Sequence, residues 1–208
     1  MYRITEVVKN LLIINILMFI GTNIVMGDSR VILAVFYPPS DFFQPYQLVT
    51  HMFMHANLTH LLFNMFALFI FGPPLEAMMG PKRFLFYYLF TGFGALFLYF
   101  LVKYLEISMG SYSAPELEKL YNTPMLGASG AVFGLLAGYA LYFPNNILQL
   151  IFPPIALRAK YFVLIYAVAE LFLGLGRFNT GIAHFAHLGG ALFGLLLVLY
   201  WRRYGARW

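Results

Sequence analysis

The sequence predicts an all-α membrane protein: a bundle of six transmembrane helices forming one domain over residues 1–208, with an interfacial outer loop between helices 1 and 2. Three observations carry this prediction. Hydrophobic residues make up 62% of the chain and charged residues only 10%, whereas a soluble domain carries about 25% charged residues. So few charges cannot cover a water-facing surface, and lipid must be much of the solvent. The apolar residues gather into six runs, several of them near the ~20 residues that cross a hydrocarbon core. The basic residues sit at the ends of those runs and form no stripe, so the net charge of +5 does not signal a nucleic-acid partner.

The runs are Leu11–Met26, Leu58–Met79, Phe84–Val102, Leu126–Phe143, Tyr161–Leu175 and Ile182–Trp201. The first has no small-residue cleavage site after it and is followed by further runs, so it reads as a retained helix and not a signal peptide. With the N-terminus placed in the cytoplasm, nine basic residues fall inside (Arg3, Lys9, Lys82, Arg83, Arg158, Lys160, Arg202, Arg203 and Arg207). Four fall outside (Arg30, Lys103, Lys119 and Arg177), a clear bias in the sense of the positive-inside rule. The acidic residues Asp28, Asp41, Glu106, Glu116 and Glu118 fall on the outer side. The chain has no cysteine, which excludes a disulfide, a thiolate nucleophile and a thiolate metal site.

Two segments depart from a plain six-span pattern. Gly27 to Thr50 is apolar and rich in Pro and aromatic residues (Tyr37, Pro38, Pro39, Phe42, Phe43, Pro45, Tyr46), and reads as a folded outer loop partly sunk in the interface, where aromatic rings settle. The fourth run is the other. A helix from Ser129 to Phe143 would be about 22 Å long at ~1.5 Å per residue, against a hydrocarbon core of about 30 Å. It would start below the outer surface and leave a cavity above it.

Polar groups inside spans are costly, and each is a functional candidate by default. Here they cluster. His51, His55 and His60 lie around the start of the second span, His184 and His187 at the start of the sixth, and Ser129 at the start of the fourth, all toward the outer side. In Gly127-Ala128-Ser129-Gly130 the glycines allow a tight turn, and a helix beginning at Ser129 aims free N–H groups at a developing oxyanion. The same residues also read as a packing motif, because Gly130, Gly134 and Gly138 recur on one helix face. His187, followed by Gly190 and Gly194, reads either as a helix-end histidine or as a base brought against Ser129 by two matched glycine ridges. His60 and Asn64 share a helix face and read either as interhelical glue or as oxyanion donors. No aspartate lies in a span, which predicts a Ser–His dyad. Glu170, the one carboxyl well inside the fifth span, has no assigned partner: a protonated, hydrogen-bonded group and a pair with Arg177 both stay open.

In this order these motifs resemble those of the rhomboid intramembrane serine proteases, over almost the whole chain. His51, His55, His60 and Asn64 resemble the family's H-x-x-x-H-x-x-x-x-H-x-x-x-N; Gly127, Ser129 and Gly130 its G-x-S-G; Ala186, His187, Gly190 and Gly194 its A-H-x-x-G-x-x-x-G. The resemblance, to the minimal six-helix bacterial type, implies Ser129 as nucleophile and His187 as base, favoured over His184. It implies an oxyanion hole from His60, Asn64 and the Ser129 N–H, with the Gly127 N–H as candidate helper. His51, His55 and Glu76 match structural positions, and the fifth helix, which carries Glu170, often has a gating role. Tyr46 and Gln47 stand where many members carry Trp-Arg in the outer loop, and Phe133 where some carry a Tyr on which the base packs.

The activity so implied is intramembrane serine endopeptidase action on peptide bonds in or near the transmembrane helices of substrate proteins, through an acyl-enzyme and without a cofactor. The implied location is a bacterial inner membrane, with both termini cytoplasmic. Two other readings remain at this stage. One is a metal- or haem-binding membrane protein using the ligand-like spacings of His51/His55 and His184/His187. The other is an inactive relative that binds transmembrane helices without cutting them.

Overall fold

The computed structural model describes residues 4–25, 30–149, 154–175 and 184–205. The ends of two predicted runs (Met26 and Ile182), the loop residues Gly27 and Asp28, and Arg3, Arg177 and Arg207 lie outside those residues.

Helix α1 spans Glu6–Ile20 and passes into a π turn at Gly21–Val25. It begins before the predicted run, at polar residues, because its start is capped from elsewhere. The buried carboxylate of Glu76 accepts from Thr5 Oγ1 and from the N–H groups of Val7 and Val8 (3.0 and 2.9 Å). These are N–H groups that a helix start leaves unpaired, so Glu76 has the structural role expected of it. The outer loop contains two short helices, α2 (Arg30–Leu33) and α3 (Gln47–Thr50), and a 3₁₀ turn at His51–Phe53.

Helix α4 (Leu58–Met79) coincides with the second predicted run and is capped by the Asn57 side chain, which accepts the His60 N–H at 2.8 Å. It ends at Gly80, whose φ of +80° suits glycine, and Pro81 opens α5 (Pro81–Met109) directly. At 29 residues, α5 is about 43 Å long and extends beyond the predicted run. The exposed α6 (Ala114–Tyr121) follows, opened by a capping box between Ser113 and Glu116. Helix α7 (Ser129–Tyr142) starts at the residue the sequence indicated. A two-stranded antiparallel ribbon, β1 (Ile147–Gln149) with β2 (Ala156–Arg158), leads into α8 (Ala159–Leu175), and α9 (His184–Tyr204) ends the described chain.

The protein is mostly helical, and among the described residues four helical stretches are long and apolar enough to cross a membrane: Glu6–Asn23, Leu58–Met79, Pro81–Met109 and His184–Tyr204. Helices α7 and α8 are apolar but shorter, at 14 and 17 described residues. Large apolar side chains such as Phe63, Phe97, Phe172 and Leu196 are exposed, as lipid-facing surfaces require.

Helix α7 is the centre of the bundle, with ten of its 14 residues buried. It packs against α5 and α9 by the absence of side chains. A methyl on Gly130, Gly134 or Gly138 would run into Ala95, Thr91 or Tyr87 of α5 respectively. A methyl on Gly190 would overlap the Gly130 carbonyl, and one on Gly194 would stand 3.0 Å from the Gly134 carbonyl oxygen. Helices α7 and α9 therefore run parallel at close range, as the glycine ridges predicted. The glycines of α7 make room for α5, Gly190 makes room for α7, and Gly189 and Gly194 give way to α5 as well, at Gly94 and Tyr87.

Candidate active site

Ser129 stands first in α7, and the turn before it depends on Gly127. Its φ of +129° lies where residues with a side chain rarely go. A Cβ there would lie 2.8 Å from His60 Cε1, 3.0 Å from His60 Nε2 and 3.6 Å from Ser129 Oγ. The missing side chain thus lets the imidazole edge of His60 approach the serine. The Gly127 N–H is donated to the His51 carbonyl at 2.9 Å. It is not free to meet an oxyanion in this conformation, which corrects the role considered for it from the sequence.

The parallel register of α7 and α9 brings His187 over Ser129, with Nε2 2.9 Å from Oγ. The histidine ring lies flat on Phe133 (centroids 4.2 Å apart, planes within 6°), and Phe133 stacks in turn on Tyr166 at 5.2 Å. The platform expected for the base is therefore present without a phenolic hydroxyl at residue 133. Ser129 and His60 are half-buried, whereas Asn64 and His187 are buried.

His60 meets the ring of His55 edge-on at 5.1 Å. Asn64, one turn further along α4, gives one side-chain N–H to the His60 carbonyl at 2.9 Å and keeps a second, since an amide carries two. Its neighbours Leu61, Met65 and Leu68 share a core with Ala128, Ala131 and Leu135, so this face of α4 is the one turned to α7. The first turns of α4, α7 and α9 thus meet at one end of the bundle.

Glu170, whose partner the sequence leaves open, finds its partners on α9. Glu170, with both oxygens engaged, bridges the two histidines of α9: Oε2 is 2.7 Å from His184 Nδ1, and Oε1 is 3.2 Å from His187 Nδ1. The second approach is an ion-pair distance whose alignment falls short of a hydrogen bond. Among the described residues no aspartate stands behind His187, but a glutamate does. The available signal was the coincidence of a lone buried-span carboxyl with a histidine pair at i and i+3.

The outer loop is held from within by the residue that departs from the common pattern. Gln47 is fully buried, donates to the carbonyls of Ile32 and Phe42 (3.1 and 3.0 Å) and accepts the Gln44 N–H at 3.0 Å. His51 donates from Nδ1 to the Gln47 carbonyl at 2.9 Å. Burial pushes its imidazole down from the usual 6.5 to about 4, so it is neutral at physiological pH. Val35 and Met125 exchange backbone hydrogen bonds of 2.9 and 2.8 Å, tying the loop to the segment that leads into Ser129. Among the described residues, no group of three His, Asp or Glu side chains is arranged to hold a metal ion.

A helical membrane bundle with a serine and an imidazole in hydrogen-bond reach at one end defines the class to compare. Residues 43–204 match the Rhomboid domain family model, and the chain belongs to the rhomboid family. It is 32% identical over 148 residues to Rhomboid protease AarA of Providencia stuartii, covering 70% of this chain and 52% of that protein. It is 32% identical over 154 residues to the Putative rhomboid protease YdcA of Bacillus subtilis (73% and 65%). It is also 35% identical over 159 residues to Rhomboid-like protein 11, chloroplastic, of Arabidopsis thaliana (74% and 51%). The chain thus spans between about half and two thirds of the length of these relatives.

Proposed function

We propose that this protein is an intramembrane serine endopeptidase that hydrolyses peptide bonds in or near the transmembrane helices of other membrane proteins. The observation that carries the reading is the 2.9 Å approach of His187 Nε2 to Ser129 Oγ on the first residue of α7. His187 takes the hydroxyl proton as Oγ attacks the scissile carbonyl. The oxyanion is met by the Ser129 N–H, unpaired at the start of a helix, by His60 and by the second N–H of Asn64. His187 then protonates the leaving amine, and water releases the acyl group from Ser129 by the same base.

A substrate helix hides its carbonyls in its own hydrogen bonds, so it must unwind locally, and small or helix-breaking residues at the cleavage site lower that cost. In this reading α1, α4, α5, α7, α8 and α9 all cross a bacterial inner membrane as one domain. The positive-inside bias puts both termini in the cytoplasm, and the loop before α4 lies in the outer interface.

The test uses a reporter substrate with a transmembrane helix, in detergent and in vesicles. Ser129→Ala and His187→Ala each lower cleavage by at least about 10³-fold while the protein still inserts. A fluorophosphonate probe labels the parent protein at Ser129 and leaves Ser129→Ala unlabelled. Parent-level cleavage by either variant would remove the pair from the mechanism.

A further inference from the structure

We infer that Glu170 is a positioning residue for the base, so that Ser129, His187 and Glu170 work as a triad, with His184 holding the carboxylate in place. The inference rests on the reading of Ser129 and His187 as nucleophile and base.

The argument starts from the tautomer. To accept the serine proton, His187 Nε2 must be bare, and a neutral imidazole then carries its one N–H on Nδ1. Nδ1 is buried and has no well-aligned partner, and the carboxylate of Glu170 stands beside it at 3.2 Å. The opposite tautomer would put the N–H on Nε2, where it would donate to Ser129 and destroy the base. A carboxylate at Nδ1 favours the productive form. During attack the proton moves from Oγ to Nε2, and Nδ1 keeps its own, so the imidazolium forms against a negative charge in a medium of low dielectric. The imperfect alignment at rest suits this order, because catalytic hydrogen bonds in unliganded sites tighten on going toward the transition state.

The setting of Glu170 supports a specific role. Helix α8 turns mostly apolar side chains outward, and Glu170 and Ala159 are the buried residues among those described on it. A carboxylate inside a span is costly and needs partners, and both oxygens of this one have found imidazoles. The shorter contact to His184 fixes Oε2 and leaves Oε1 aimed at His187. His184 therefore anchors the carboxylate, and His187 uses it.

A simpler role would be a tie between α8 and α9, and the experiment separates the two. Glu170→Gln keeps the size and the hydrogen-bonding capacity but removes the charge. It should lower kcat on the reporter substrate by about 10²-fold or more, with KM within about twofold and the melting temperature within a few degrees. In parent protein labelled with ¹⁵N-histidine, NMR should find neutral His187 with its proton on Nδ1, and Glu170→Leu should mix the tautomers. A Glu170→Gln protein with kcat within threefold of the parent, or an unchanged tautomer in Glu170→Leu, would leave Glu170 a structural tie. If Glu170→Leu does not fold, the Glu170→Gln kinetics decide alone. If instead Ser129→Ala or His187→Ala retains activity, the underlying assignment fails, and that outcome is read from those variants separately.

Discussion

Adding one methyl group at Gly190 should disable the site without touching a residue of it. A Cβ at this position would overlap the carbonyl oxygen of Gly130, 2.7 Å from the carbonyl carbon and 3.2 Å from Cα. These are backbone atoms of a helix that is itself packed against Thr91 and Ala95 of α5, so no side chain can swing away. Ordinary carbon contacts lie near ~3.5–4.0 Å, so α7 and α9 must part by roughly 1 Å. Overpacking of this kind costs about 1–3 kcal/mol of stability. The larger effect is on chemistry. Ser129 adjoins Gly130 and His187 sits one turn before Gly190, so a parting of that size takes Oγ and Nε2 from 2.9 Å to beyond hydrogen-bond reach. A misplacement of about 1 Å can cost 10²-fold in rate. Gly190→Ala should therefore cleave the reporter at about one hundredth of the parent rate and label with fluorophosphonate correspondingly slowly, with only a modest fall in melting temperature. Gly21→Ala is the control, because a Cβ there meets nothing within 4 Å. Gly190→Ala with parental cleavage would refute the view that the glycine contact sets the distance between nucleophile and base.

Two further outcomes follow from the same geometry. Gly127→Ala meets both a φ of +129° and the His60 ring 2.8 Å from the new Cβ, so cleavage should fall by at least tenfold; parental activity would mean that the turn is not needed in this form. Thermal stability should fall in acid. His51 is held down from 6.5 to about 4 by burial, so the unfolded chain takes up its proton first. Its contribution is full above pH 6.5 and is lost as pH falls toward 4, by about 3 kcal/mol. Melting curves from pH 7.5 to 4.5 should show the fall. His51→Asn, which keeps a donor for the Gln47 carbonyl but does not titrate, should lessen the fall, the remainder coming from His55, which burial holds down to about 3.

Much of the site was legible because helical spacing is rigid. Gly130 and Gly134 meet Gly190 and Gly194 in a common register, and a register that fits two glycine pairs leaves Ser129 and His187 no choice but to face each other. The short fourth helix was legible for a related reason, since glycines bracketing Ser129 mark a boundary that hydropathy alone blurs. Contacts made by single residues across helices with no repeating pattern were not legible. Glu170 had a candidate partner only seven residues along its own chain, in Arg177, and nothing in the spacing of α8 indicates that its carboxylate turns toward α9. Gln47 was likewise read as a departure from Trp-Arg that left the loop's anchoring open. Burial converts its amide into the residue that joins three backbone groups of the loop. The commitment of the Gly127 N–H to His51 depends on a pairing between distant loops, for which the sequence carries no period.

These single contacts have a consequence for how the site holds its shape. Ser129 is fixed through the outer loop: Gln47 holds His51, the His51 carbonyl holds the Gly127 N–H, and Gly127 sets the turn into Ser129. His187 is met from the opposite flank by Glu170, on a helix whose other buried described residue is Ala159. Helix α8 buries only Ala159 and Glu170 among its described residues, while α5, α7 and α9 lock together through glycine. A rigid centre therefore sets the distance between serine and histidine, and contacts from the two flanks brace the turn before Ser129 and the Nδ1 side of His187. Displacing either flank would lower reactivity while leaving the 2.9 Å pair formally in place. A site that, as proposed, admits a polypeptide from its periphery has reason to keep its critical distance in the centre and its adjustable contacts at the edge.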